Sequence, residues 1–92
     1  MITPDTLLVR NDTLVAAPMG ADVAMMDMDT GKYFVLHEVA AVIWERLASP
    51  ATAVDLCDVL TQQYNVTAER CRADLLPFLQ QAHDKGLVRR AG

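Results

Sequence analysis

The chain has 92 residues, 52% of them apolar, and eight Lys and Arg against twelve Asp and Glu leave a formal charge of -4 at pH 7. A body of this size hides only ~60–65% of the surface its unfolded chain exposes, so residues 1–92 are expected to form one domain with little core to spare for a deep catalytic cavity. The acidic balance also speaks against nucleic acid as a partner, because counterion release from phosphates needs a concentrated basic surface.

Cys57 and Cys71 form no CxxC pair, and a secreted scaffold of this length normally carries four or more cysteines, so a reducing cytoplasm is the expected location. No segment approaches the ~20 apolar residues of a membrane span, and the amino terminus lacks the basic start and apolar run of a signal peptide.

Along the chain, Leu7-Leu8-Val9 and Leu14-Val15-Ala16-Ala17 are short β-favouring runs, separated by Asn11-Asp12 and followed by Pro18-Met19-Gly20. Residues 23–29 alternate loosely, and Asp29-Thr30-Gly31-Lys32 is a turn leading into Tyr33-Phe34-Val35-Leu36. The whole reads as a short three-stranded meander within residues 6–36, ending in a hairpin.

From Glu38 the pattern becomes helical. Ala40, Ile43, Trp44 and Leu47 fall at i, i+3, i+4 and i+7, which predicts a helix over 38–48 that stops before Pro50. A second helix is expected over 53–64, capped by Thr52 with Asp55 three residues on, and facing inward through Leu56, Leu60 and Tyr64. The third, over 67–85, starts at Thr67 with Glu69 in its first turn and Val66 placed to staple onto Cys71. Its inner face is expected to be Cys71, Leu75, Phe78 and Ala82, and Gly86 is the C-cap candidate, after which Leu87-Val88 packs back on the body. Pro77 predicts a kink within that helix or a break into two.

No catalytic constellation emerges. His37 and His83 sit on different elements with no Ser, Cys or Asp at triad or metal-ligand spacing, and the two cysteines fall on or beside apolar helix faces as small core residues. Asp27, Asp29 and Glu38 match positions 1, 3 and 12 of a calcium loop, but Gly31 comes one place early and the flanks are strand and helix. No metal, no cofactor and no catalytic residue is therefore assigned. What remains is shape: the strand at residues 32–36 runs straight into a helix, has no later strand to cover it, and is guarded only by Lys32. Such an edge is either an aggregation liability or a docking strip for a partner's strand.

Gly31-Lys32-Tyr33-Phe34-Val35-Leu36-His37, Ala40-Ala41-Val42-Ile43-Trp44-Glu45-Arg46-Leu47, Val54-Asp55-Leu56 with Leu60 and Tyr64, and Asp74-Leu75-Leu76-Pro77-Phe78-Leu79 with Gly86-Leu87-Val88 together resemble the PqqD family over residues 5–90. The resemblance implies an α+β, winged-helix-like fold, an N-terminal three-stranded antiparallel sheet followed by three helices. It implies a non-catalytic module that binds the leader of a ribosomally made precursor peptide. It also implies partners: that leader, and a modifying enzyme, either a leader protease with a cyclase or a radical enzyme. General likeness around residues 31–47 favours the lasso-peptide type over the pyrroloquinoline quinone type.

Carried onto this chain, the resemblance makes Lys32, Tyr33, Phe34, Val35 and Leu36 the strand that receives the leader. Arg72, Leu76, Leu79 and His83 on the third helix become the groove wall, with Leu76 and Leu79 taking apolar leader side chains and Arg72 a leader carboxylate. His37 replaces the Asn that often caps the following helix in the family, and Pro77 is unusual for the third helix. Two other readings compete with peptide binding: a winged-helix DNA-binding regulator, disfavoured by Glu69, Asp74 and Asp84 on its would-be recognition helix, and a structural homodimer that pairs the same edge strands.

Overall fold

The computed structural model describes residues 1–91. Its elements follow in the order β1 (Leu8–Arg10), β2 (Leu14–Met19), β3 (Asp22–Asp27), β4 (Tyr33–Leu36), α1 (Val39–Arg46), α2 (Ala53–Gln63), α3 (Ala68–Asp84) and β5 (Val88–Arg90). β2, β3 and β4 form the antiparallel meander, in that order, ahead of the three helices. Gly20, at φ 67, opens the β2–β3 turn, and Gly31, at φ 73, closes the β3–β4 turn, both in the left-handed region that favours glycine.

The Leu7-Leu8-Val9 run lies outside this meander. β1 pairs instead with β5, a strand the sequence did not announce, in the register Leu8↔Arg90 to Arg10↔Val88. On its other side β1 is bonded to the α1–α2 connection: Leu8 N–H donates to the Ala51 carbonyl at 2.8 Å, Ala51 N–H returns the bond at 2.9 Å, and Arg10 N–H donates to the Leu47 carbonyl at 2.9 Å. Enclosed on both sides, Leu8 is wholly buried. A strand of three residues has too little alternation to declare its partner, and this one finds it at the far end of the chain.

The helices start and stop where local chemistry dictates. Thr52 and Asp55 form the reciprocal capping box, with Asp55 N–H donating to Thr52 Oγ1 at 3.2 Å and Thr52 N–H donating to Asp55 Oδ2 at 3.1 Å. Thr67 caps α3 by accepting from Arg70 N–H. At its other end, Gly86 at φ 80 lets Leu87 N–H reach the Ala82 carbonyl and Gly86 N–H the His83 carbonyl, the paired bonds of a Schellman motif. That turn delivers Leu87 and Val88 into the core, both buried as expected.

α3 is one helix, with Pro77 on its exposed side, and not two. Its buried residues are Cys71, Leu75, Leu79 and Ala82. Phe78, expected inside, is only half-buried, and Leu79, expected on the groove wall, has no exposed surface. After Leu75 both i+3 and i+4 satisfy helical spacing, so Phe78 and Leu79 compete for the core, and the smaller Leu79 takes the fully buried position. Tyr64, expected inside on α2, lies past its last turn and is 39% exposed. Trp44 on α1 is buried, and the Arg10 guanidinium lies 5.5 Å from its ring centroid.

Candidate functional site

β4 is an edge strand: β3 pairs with it on one side, and among the described residues no strand lies on the other. The ladder decides which backbone groups face outward. Asp27 N–H donates to the Lys32 carbonyl at 2.8 Å, which makes Asp27 and Lys32 a hydrogen-bonded pair. Such pairs alternate along an antiparallel ladder, so Phe34 opposite Met25 and Leu36 opposite Val23 turn their backbone groups to β3. Tyr33 and Val35 therefore point N–H and C=O to the open edge. Their side chains are exposed, whereas those of Phe34 and Leu36 are half-buried against the core; Lys32 is exposed at the strand's start.

Among the three helices lies an apolar groove of about 340 Å³, whose lining begins at Val39, the first residue of α1 after β4. Ile43, Leu60, Cys71 and Leu75 give it a buried floor, while Val39, Tyr64, Asp74 and Phe78 stand around its mouth. Phe78 also lines a small gap shared with Leu36, so it links the groove to β4. Asp74 is the one charged side chain in the lining.

None of Arg72, Leu76, Leu79 and His83 lines this groove. Leu79 is core, Leu76 packs half-buried against it, and Arg72 is exposed. His83 Nδ1 is enclosed, 3.8 Å from Asp84 Oδ1. α3 thus presents its opposite flank, Asp74 and Phe78, to the groove. With Cys71 and Leu75 fixed as core, the flank beside them on either side is equally compatible with the pattern; only the placement of α1 against α3 decides it.

Two further features support the site. Cys57 and Cys71 are free, buried thiols, and burial first, then the neighbouring Cys71 thiol, pushes the Cys57 thiol up to about 12. Where β4 passes into α1, Glu38 adopts φ 47, a region costly for a residue with a side chain, and offers no side-chain cap to the helix. Asp22, at the start of β3, braces this junction: its Oδ2 lies 3.0 Å from His37 Nδ1, and its Oδ1 accepts from Glu38 N–H at 3.2 Å. The His37 contact foremost, and the Glu38 amide next, hold the Asp22 carboxyl below its ordinary range. Asp22 and His37 are remote in sequence, and only the β3–β4 register brings them together.

The family model for coenzyme PQQ synthesis protein D (PqqD) matches residues 22–88. The chain belongs to the PqqD family. No curated protein matches it. Among solved structures, TbiB1 in complex with the TbiA(beta) leader peptide is 27% identical, with a TM-score of 0.82 over 88% of this chain and 94% of that one. Lasso peptide synthetase B1 complexed with the leader peptide shares the fold, at 21% identity and a TM-score of 0.78 over 89% of this chain and 96% of that one. The matched span of the PqqD model begins at Asp22 and ends at Val88, so it takes in β3, β4, the three helices and the groove, and leaves out β1 and β2.

Proposed function

We propose that this PqqD-family chain is a non-catalytic module that captures the leader of a ribosomally made precursor peptide. The leader adds as a strand to β4, with its ladder on the outward groups of Tyr33 and Val35, and drops apolar side chains past Leu36 and Phe78 into the groove. The observation that carries this is an open strand edge linked through Phe78 to an apolar groove, in a chain 27% identical over most of its length to a protein solved with a leader peptide. Main-chain pairing supplies affinity without demanding a sequence, and the groove supplies selectivity. The captured peptide is delivered in the cytoplasm to a modifying or leader-cleaving enzyme, of the lasso-peptide type.

Asp74 at the mouth favours a leader with a basic residue next to its apolar anchor, in place of the carboxylate first assigned to Arg72. Titration of the purified protein with the leader encoded beside it, followed by calorimetry, is expected to saturate below millimolar peptide. No saturable binding up to that concentration defeats the proposal.

A further inference from the structure

Only His37 and Glu38 separate β4 from α1, so this junction sets how the open strand edge stands against the helices that form the groove. Its backbone is tightly turned. Ala40 N–H donates to the His37 carbonyl at 3.0 Å, and Glu38, at φ 47 and ψ -107, matches the second position of a type II′ turn. That position favours glycine, and Glu38 is the one residue with a side chain at positive φ among those described. Such a conformation persists only where the surroundings over-determine it.

The turn also ends the edge. Outward backbone groups alternate along β4, at Tyr33 and Val35, and His37 would come next. Its carbonyl is instead committed to Ala40, and two residues later Val39 opens the groove lining. Along the chain, the ladder therefore stops where the groove begins.

Asp22 holds this turn from outside. It stands one step past the Val23↔Leu36 pair, opposite His37, at a position of the ladder where facing side chains approach most closely. Its Oδ2 lies 3.0 Å from His37 Nδ1 and its Oδ1 accepts from Glu38 N–H at 3.2 Å; among the described residues no other side chain hydrogen-bonds to either junction residue. The side chains of Asp22 and His37 are 34% and 72% exposed, so the pair adds little to global stability. Its effect is local, on the order of the turn.

We propose that Asp22 is a positioning residue for peptide capture: by clamping the His37–Glu38 turn it fixes β4 against α1 and presents ladder edge and groove to the leader as one preformed surface. The assignment rests on the leader-binding function above. A junction released from the clamp has to be ordered when the peptide arrives, and that ordering is subtracted from affinity.

The test measures leader affinity by calorimetry, with thermal unfolding in parallel, for Asp22→Ala alone and combined with Glu38→Gly. Asp22→Ala is expected to weaken leader binding about fivefold, with the unfolding midpoint lowered by no more than a few degrees. Glycine adopts φ 47 without strain, so the double variant keeps the turn without the clamp and is expected to recover most of the lost affinity. A role of Asp22 elsewhere in the fold would not be rescued from position 38. If Asp22→Ala fails to fold, Asp22→Asn takes its place; it retains the Glu38 bond, loses the charge beside His37, and is expected to show a smaller loss with the same rescue. Parent-like affinity in the folded Asp22 variant overturns the proposal, as does a loss that Glu38→Gly leaves unrestored. A parent that binds no leader defeats the leader-binding function, and the positioning role falls with it.

Discussion

Phe78 and Leu79 are neighbours in sequence with opposite duties. Leu79 has no exposed surface, so Leu79→Ala removes packed methyl groups from the core and is expected to cost about 2–5 kcal/mol of stability. Phe78 is half-buried where the groove meets β4, so Phe78→Ala is expected to weaken leader binding about tenfold, roughly 1.4 kcal/mol, with a smaller loss of stability. Urea unfolding and calorimetry on the two variants separate the effects, and equal loss of leader affinity in both contradicts the division. Asp22 gives a pH signature at the same scale. Its folded-state carboxyl is held below the 3.8 of the free group, so the brace on His37 and Glu38 is intact above that value and fades as pH falls through the lower folded one. Asp22→Asn is expected to remove that part of the acid limb of a pH–stability curve, and a superimposable limb would show that the brace contributes nothing.

The elements differ in how far their own residues announce them. α2 and α3 were legible because their caps, Thr52 with Asp55 and Thr67, act within four residues. β4 was legible as an edge because Tyr33-Phe34-Val35-Leu36 passes directly into a helix. β5 was not, since Val88-Arg89-Arg90 becomes a strand only by pairing with β1. The strand half of the candidate site could therefore be named by residue, whereas its helical half required the packing of α1 on α3, which no local spacing encodes. The ladder phase yields a sharp element-level prediction: Val35→Pro deletes an outward N–H and leaves the β3 ladder intact, so leader binding is expected to be abolished with little change in unfolding temperature. Phe34→Pro, which removes an inward N–H, is expected to unfold the edge itself. If Val35→Pro binds leader as the parent does, strand addition is wrong.

Over the whole molecule, two small sheets divide the labour. The meander carries an open edge, and the β1–β5 ribbon closes the structure by gripping the α1–α2 connection. Arg90 Nη2 also donates to the Met1 carbonyl at 3.2 Å, and Ala91 N–H to that of Leu7 at 2.9 Å. Truncation after Gly86 removes buried Leu87 and Val88 together with the partner of β1, and is expected to lower the midpoint of thermal unfolding well beyond the few degrees typical of a single surface change. A truncated chain that melts with the parent would assign the ribbon no share in stability.

The ribbon also sets an order of events in synthesis. β1 leaves the ribosome well before β5, the strand that pairs with it in the ribbon. The β2–β4 hairpins pair residues close in sequence, so their contacts need far less chain than those of the ribbon. Until residues 88–90 emerge, Leu8 has nothing to seal it on one side. Slow translation of residues 87–90 would therefore lengthen the time for which Leu8 lacks that seal.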